Sequence, residues 1–406
     1  MTSLADQPWL TSPATRAVIS ALEAEGGEGC VRFVGGCVRN SLVGQPVDDI
    51  DLATRLTPEV VMAALKAAKL KVIPTGLAHG TVTAVSKGAP YEITTLRRDV
   101  STDGRNATVA FTEDWAEDAG RRDFRLNALY ADAAGTVFDP TGRGVADAES
   151  GRIVFVGDPE TRISEDYLRI LRFFRFFAWY GRGEPDRAGL AACAALSDGM
   201  VRLSAERVSK ELLKLLRAPD PRGAMRAMAS AGVLAKILPN ALESERSLGA
   251  FDRMTGLSTD PVLRLSTLWP ADPPAVETAA RGLRLSNPDR LRLVAAAGET
   301  LDLGMTEQAG RAALYRLGRQ TFIDRILREA ALSDRAAGAA VWLDLAKTWP
   351  IPRLPVGGRQ VTAAGLPAGP DTGRALAAFE ASWIADDFPA QGHAERLRAA
   401  ISALKA

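Results

Sequence analysis

Residues 35–51 read GGCVRNSLVGQPVDDID, and this stretch decides the fold of the N-terminal part of the chain. A strand-like run at 31–34 leads into the glycine pair, after which Val38 and Leu42 recur at helical spacing. A helix that begins at glycine presents backbone N–H groups and its positive dipole end, which suits a phosphate. Arg39, one turn into the helix, adds a charged fork for phosphate oxygens. The stretch therefore predicts a phosphate-binding strand, turn and helix.

Two carboxylates follow this helix after a short loop. Side chains alternate across a strand, so Asp49 and Asp51 share one face while Ile50 turns to the core. Carboxylates this close repel each other unless a cation lies between them, and Mg²⁺ takes oxygen ligands and bridges to nucleotide phosphates. The alternative is a strand edge with two solvated acids behind an ordinary glycine turn. With the glycine pair upstream, we favour nucleotidyl transfer.

Two later segments carry groups that suit the same chemistry. Glu92, in an alternating strand, could be a third carboxylate that accepts a proton from a hydroxyl or completes the metal site, although a surface acid is an equal alternative. Residues 121–128 read RRDFRLNA and include Arg122, Asp123 and Asn127. Arginines suit a triphosphate, while Asp and Asn suit ribose hydroxyls. A solvated helix start has a similar composition.

A polar stripe is predicted on the helix that covers residues 163–180. Asp166 precedes Arg169 by one turn, and Arg172 and Arg175 continue at every third residue. A carboxylate and a guanidinium side by side can read the Watson–Crick edge of C or A and reject U or G. The alternative is a surface helix with salt bridges at i, i+3 spacing.

Composition limits the class of protein. The 406 residues are 47% hydrophobic and 24% charged, as in folded globular proteins, and the net charge of +1 restricts any RNA-binding surface to a local patch such as the basic segment 202–236. Two histidines are too few for histidine-centred metal hydrolysis. Three cysteines without zinc-type spacing and no membrane-spanning apolar run predict a soluble, cytoplasmic protein.

Secondary-structure signals change along the chain. Up to about residue 145 short strands and helices alternate, and beyond about residue 160 helical periodicity dominates. The predicted strands are 31–34, 50–53, 81–86, 91–96 and 136–138. The predicted helices are 57–69, 163–180, 204–216, 221–231, 288–297, 307–317 and 393–404.

Taken in order, the motifs resemble those of class II tRNA nucleotidyltransferases, the CCA-adding enzymes, in a superfamily shared with bacterial poly(A) polymerases. The resemblance covers residues 30–217. It rests on Gly35-Gly36-Cys37-Val38-Arg39, Asp49-Ile50-Asp51, Arg121-Arg122-Asp123 with Asn127-Ala128, Asp139-Pro140 with Gly142, and Glu165-Asp166 with Arg169.

The resemblance implies an α+β fold. An N-terminal nucleotidyltransferase head of the polymerase β type, with a five-stranded sheet, is followed by an all-α neck, body and tail. The expected ranges are 1–145 for the catalytic head, 146–217 for the base-selecting neck, 218–300 for an RNA-binding body and 301–406 for a tRNA-binding tail.

The resemblance also implies roles for individual residues. Asp49 and Asp51 would hold Mg²⁺, with Glu92 as a further catalytic acid. Asp166 and Arg169 would pair with the base. The expected nucleotide-binding residues are Gly36, Arg39, Arg122, Asp123, Asn127, Asp166, Arg169, Arg172 and Arg175. Asn40 departs from the Asp usual after the Val-Arg pair, a change expected to be tolerated.

The implied activity is template-independent addition of C, C and A to the 3′ end of tRNA from CTP and ATP, with pyrophosphate released. Segment 97–118 resembles the flexible element that helps such enzymes change from C to A. The scarcity of histidine excludes the phosphohydrolase domain of some relatives. A poly(A) polymerase and a silent RNA-binding relative are the alternatives.

Overall fold

The computed structural model of the chain describes residues 3–103, 106–238, 241, 245–269 and 271–404. The chain divides into two compact units, Met1–Asn240 and Ala241–Ala406. Unit 1 contains a sheet and helices, and the described part of unit 2 is helical. The α+β class is therefore confirmed. The finer division at residues 145, 217 and 300 stays a prediction.

The main sheet of unit 1 has the strand order β3-β4-β5-β2-β1-β8-β9 among the described residues. Strands β2 and β5 run parallel, and the other neighbours are antiparallel. A separate hairpin joins β6 to β7. The strands are β1 (Val31–Val34), β2 (Ile50–Thr54), β3 (Lys71–Gly76), β4 (Thr81–Ser86), β5 (Ala89–Thr95), β6 (Arg97–Asp103), β7 (Asn106–Phe111), β8 (Tyr130–Ala131) and β9 (Val137–Phe138).

The expected five-stranded sheet is wrong, since the sheet has seven described strands. All five predicted strands are present, but β3 and β8 of this sheet and the separate strands β6 and β7 were missed. Strand β3 is an edge strand with mostly exposed residues and an irregularity near Pro74, so it lacks an alternating apolar pattern. Strand β8 has two buried residues, too few to show any period.

The two faces of the sheet have different roles. On one face, Tyr91 of β5 contacts Thr15 of helix α2 (Pro13–Gly26) through their hydroxyls, 3.0 Å apart. The next residue, Glu92, therefore points to the opposite face. On that second face Ala53 packs in a buried cluster with Trp115. Asp51 comes two residues before Ala53, so its side chain points to the same face. The polar site thus occupies the face away from α2.

The helices of unit 1 are mostly short. Among the described residues they are α1 (Pro8–Thr11), α2 (Pro13–Gly26), α3 (Gly36–Leu42), α4 (Pro58–Ala67), α5 (Trp115–Gly120), α6 (Gly144–Ser150), α7 (Pro159–Glu165), α8 (Leu168–Tyr180), α9 (Arg187–Ala195), α10 (Ala205–Leu216), α11 (Arg222–Ser230) and α12 (Val233–Ile237). An aromatic cluster holds α8, with the rings of Phe173 and Phe155 stacked at 5.6 Å and Phe176 lying 5.2 Å from Phe124.

The single helix expected over 163–180 is wrong, because the chain breaks it at Asp166. Asp166 has φ −152° and ψ 106°, an extended conformation that ends α7. Its carboxylate accepts a hydrogen bond from the backbone N–H of Leu168 at 3.1 Å, next to the start of α8. An Asp that bonds the backbone two residues on competes with a continuous helix.

Unit 2 is helical throughout its described residues. Its helices are α13 (Glu245–Leu257), α14 (Pro261–Ser266), α15 (Pro273–Gly282), α16 (Asn287–Ala296), α17 (Glu307–Leu317), α18 (Arg319–Ser333), α19 (Ala336–Thr348), α20 (Gly358–Ala363), α21 (Pro370–Ala385) and α22 (His393–Ala403). One core surrounds Phe322 and Trp342, and another surrounds Phe379 and Trp383. Within the described residues, no helix is long and apolar enough to cross a bilayer.

Candidate active site

Two acidic residues lie side by side on the second face of the sheet, and a third acts on one of them electrostatically. The parallel register of β2 and β5 sets Asp51 directly beside Glu92, and Asp49 precedes β2. Burial, together with the charges of Glu92 and Asp49, raises the pKa of Asp51 to about 6, although the charge of Arg122 opposes this rise. The site therefore carries negative charge that its own residues do not neutralise, and a cation would relieve it.

These acids fit a metal ion that is shared with a substrate. In the described parts of the chain, no three His, Cys, Asp or Glu residues come close enough to form a metal site by themselves. Mg²⁺ is commonly bound by one or two carboxylates, with phosphates and water at the other positions. Asp49, exposed, and Asp51, partly buried, suit such an arrangement.

Arg122 is firmly held next to the acids. Its guanidinium donates to Asp118 at 3.0 Å and to the hydroxyl of Tyr130 at 3.2 Å. Burial by itself would raise the pKa of Asp118, but the charges of Arg122 and Arg121 outweigh this effect and hold the pKa at about 2. The Tyr130 hydroxyl also donates to Asp118, at 2.6 Å. Arg122 is therefore a preorganised positive group within electrostatic range of Asp51.

The glycine pair forms the predicted turn between β1 and α3. Gly35 has φ +70°, a conformation that favours glycine, and its N–H donates to Leu129 at 3.2 Å. Gly36 is the first residue of α3, and a Cβ there would lie 3.9 Å from Nη2 of Arg39. The turn thus brings the backbone close to the guanidinium of Arg39.

Four of the predicted residues form one hydrogen-bonded chain. Nη1 of Arg39 donates to Oδ1 of Asn127, and Nδ2 of Asn127 donates to Asp123 at 3.0 Å. Asp123 accepts from Nε of Arg172 at 2.7 Å. Although Asp123 is buried, the charge of Arg172 and the hydrogen bond from Asn127 hold its pKa at about 2. The chain of bonds connects α3 with α8.

The two predicted base readers do not pair with each other in this structure. Asp166 forms an ion pair with Arg207 of α10 at 2.6 Å. Arg169 forms an ion pair with Glu165 and donates to the carbonyls of Arg162, at 2.7 Å, and Arg121. The alternative interpretation, a helix with salt bridges between Asp166 and the arginines at i, i+3 spacing, is wrong in its partners, because Asp166 lies outside α8. Arg175 pairs with Glu211 of α10.

Several residues of the site escaped sequence analysis. Asp118 could have been found, since it stands three and four residues before Arg121 and Arg122. The others come from distant parts of the chain and leave no such signal. They are Tyr130, Tyr180, Arg207 and Glu211. Segment 97–118 forms β6, β7 and α5, and residues 104–105 lie outside the described part.

Comparisons with known proteins place this site in a family. Residues 31–154 match the family described as "Poly A polymerase head domain", and residues 185–244 match "Probable RNA and SrmB- binding site of polymerase A". The crystal structure of the Bacillus stearothermophilus CCA-adding enzyme in complex with CTP superposes with a TM-score of 0.75 and 26% identity, covering 97% of this chain and 100% of that one.

Curated relatives match over most of their length. The CCA-adding enzyme of Latilactobacillus sakei is 29% identical over 92% of this chain and 94% of its own. The human mitochondrial CCA tRNA nucleotidyltransferase 1 is 34% identical over 87% of this chain and 82% of its own. With identity at this level over most of both chains, the protein belongs to the family of CCA tRNA nucleotidyltransferases, the CCA-adding enzymes.

Proposed function

We propose that this chain completes the 3′ end of tRNA by adding C, C and A from CTP and ATP. The observation that carries this proposal is the match to relatives named for CCA addition across 87% to 92% of the chain. The acids around Asp51, beside the anchored Arg122, supply the polar face that nucleotidyl transfer needs. Reactions of this kind depend mostly on positioning and electrostatic stabilisation.

In the proposed reaction the 3′ oxygen of tRNA forms a bond to the α-phosphorus of the nucleotide, and the bond from that phosphorus to pyrophosphate breaks. Mg²⁺, held by Asp49 and Asp51, would supply positive charge for the phosphates and acidify the attacking hydroxyl. Glu92, which lies beside Asp51, would accept the hydroxyl proton. Arg122 offers a fixed positive charge to the triphosphate.

Base selection is proposed for Asp166 and Arg169. The carboxylate of Asp166 already accepts from Arg207 and from the N–H of Leu168, and its remaining acceptor sites could take the amino group of C or A. Arg169 uses three of its five N–H donors on Glu165 and on two backbone carbonyls. The remaining two donors could serve the base while these internal contacts stay in place.

The rival function is addition of AMP tails by a poly(A) polymerase, which the names of the two family models suggest. One assay separates the two. A tRNA that lacks its 3′ CCA is offered each nucleotide, and the ends are sequenced. CCA followed by a stop supports the proposal, whereas long A tails or no addition contradict it. The Asp51→Ala variant is expected to lose transfer while it keeps its fold and its tRNA binding.

We also propose a role for each range of the chain and a location in the cell. Residues 1–145 would catalyse transfer, 146–217 would select the base, and 218–300 with 301–406 would bind tRNA. A reducing compartment such as the cytoplasm suits three buried free thiols, those of Cys30, Cys37 and Cys193.

A further inference from the structure

Arg39 is held by neutral oxygens. Its Nε and Nη2 both donate to Oδ1 of Asn40, at 3.2 and 2.9 Å, and Nη1 donates to Oδ1 of Asn127. Nη2 also donates to the hydroxyl of Tyr180 at 2.8 Å, and the Tyr180 ring lies 4.2 Å from the guanidinium carbon. A guanidinium has five N–H donors. These contacts use four of the five donors, and the fifth is the second N–H of Nη1.

The other arginines of the site differ in this respect. Each of them forms an ion pair with a carboxylate, and these pairs are Arg122–Asp118, Arg169–Glu165, Arg172–Asp123 and Arg175–Glu211. Arg39 has no carboxylate partner among the described residues, although it is only 8% exposed. The nearby Asp123 already accepts two hydrogen bonds from Arg172. The charge of Arg39 is therefore fixed in place without being locally neutralised.

Asn40 is suited to this arrangement by its amide. Its Oδ1 accepts from Arg39, and its Nδ2 donates to the carbonyl of Pro46 at 2.7 Å. A guanidinium only donates and a carbonyl only accepts, so this amide orientation alone satisfies both contacts. Pro46 belongs to the loop between α3 and Asp49. Asn40 therefore connects Arg39 with the segment that leads to the acidic residues.

We propose that Asn40 and Tyr180 are positioning residues, which hold Arg39 through neutral oxygens so that its charge remains available to the polyphosphate of CTP and ATP. This inference rests on the proposed function, in which Arg39 faces the nucleotide. Tyr180 lies at the end of α8, so it also connects the guanidinium with the helix that carries Arg172 and Arg175. Loss of either positioning residue should weaken nucleotide binding whichever base is present.

The first test is Tyr180→Phe, which removes the hydroxyl and keeps the ring. We expect KM for CTP and for ATP to rise together, by about fivefold, with kcat within about twofold of wild type, because one charge-assisted hydrogen bond is lost. The matched control is Trp179→Phe, which removes a hydrogen bond from Nε1 to the carbonyl of Lys214 at 2.8 Å on the same helix. The control should leave both KM values unchanged. Equal KM changes in the two variants would overturn the inference.

The second test is Asn40→Asp, which keeps an acceptor for Arg39, removes the donor to the carbonyl of Pro46 and adds a negative charge. A rise in KM that came only from the lost contact with Pro46 would not depend on salt. Since we infer a charge effect, we expect KM for both nucleotides to rise by about fivefold at low salt and by less at high ionic strength. An unchanged KM in the folded variant would contradict the inference, and so would a rise that salt does not reduce.

Arg39→Met separates this inference from the proposed function. A normal KM in that variant shows that Arg39 does not face the nucleotide and so overturns the inference, while CCA addition itself is judged by sequencing the tRNA ends. A raised KM in Arg39→Met with normal values in Tyr180→Phe and Asn40→Asp overturns the positioning roles alone. Melting temperatures of all variants show whether any of them has failed to fold.

Discussion

At the scale of single residues, Asp51 shows a conflict between stability and function. Burial and two neighbouring acids make its ionised form unfavourable, and its pKa rises to about 6. The same environment attracts a cation, which requires the ionised form. The residue thus destabilises the free protein at the pH where the site can act.

The first prediction concerns Asp51→Asn. The pKa of Asp51 is higher in the folded protein than in the unfolded chain, so the folded protein holds the proton more tightly. The free energy of unfolding therefore falls as the pH rises from about 4 to about 6. The variant lacks this loss, so its free energy of unfolding should exceed that of wild type above about pH 6, by up to about 3 kcal/mol, and match it below about pH 4. Denaturant unfolding between pH 4 and 8, without divalent ions, measures the difference. A gap that does not depend on pH would contradict the account.

The second prediction concerns the metal. Because a proton and a divalent cation compete for Asp51, the Mg²⁺ concentration that half-activates transfer should rise about tenfold for each pH unit below about 6. Titrating Mg²⁺ at fixed pH values checks this. A half-activating concentration that is constant from pH 5 to 7 would show that Asp51 is not a ligand.

The third prediction concerns Asp166. Asp166→Ala should reduce the preference for C and A over U and G, because the carboxylate that rejects a carbonyl oxygen is gone. The variant also frees Arg207 from its ion pair, so Arg207→Met is the control for loss of that contact alone. Relative kcat/KM values for the four nucleotides are the measurement. Unchanged selectivity in Asp166→Ala would remove this residue from base reading.

At the scale of elements, helix α8 is the connection between the sheet and the rest of unit 1. Phe173 and Phe176 bury one side of it against Phe124 and Phe155, while Arg172 bonds Asp123. Asp123 in turn bonds the backbone N–H of Phe124 and the amide of Asn127. The position of α8 is therefore set by a buried charge and by aromatic packing at the same place.

The fourth prediction tests this connection. Arg172→Met should destabilise the protein by about 3 kcal/mol at neutral pH, because it leaves the buried carboxylate of Asp123 without its cation. The loss in free energy of unfolding should become smaller as the pH falls, since the unpaired carboxylate of Asp123 can then bind a proton. The double variant with Asp123→Asn should recover most of the loss. Urea unfolding of the two single variants and the double variant is the measurement, and additive losses would refute the coupling.

At the scale of the whole molecule, the proposed active site belongs to unit 1 alone, whereas the described part of unit 2 is helical. Every residue assigned to the proposed active site lies in Met1–Asn240. Unit 2 has its own buried cores around Phe322 and Phe379. Each unit therefore has an apolar interior of its own.

The fifth prediction follows from that division. A fragment of residues 1–240 should bind CTP with nearly the affinity of the full chain, while its KM for tRNA should rise at least tenfold if unit 2 contacts tRNA as proposed. Calorimetry with CTP and steady-state kinetics with tRNA test the two parts. Loss of CTP binding by a folded fragment would place part of the nucleotide site in unit 2.

The sequence by itself determined the features that depend on local periodicity. The alternation of a strand sets Asp49 and Asp51 on one face, and the glycine pair permits the turn before α3. These signals need only neighbouring residues. They predicted the α+β class and five of the seven described strands of the main sheet.

Only the tertiary structure decided which charged groups meet. Asp166 pairs with Arg207 and Arg175 with Glu211, because packing brings α10 alongside α8. The hydrogen bonds of Arg39 to Asn127 and Tyr180 likewise join segments far apart in sequence. Such contacts follow from how the elements pack in three dimensions, and the spacing of residues along one helix carries no record of them.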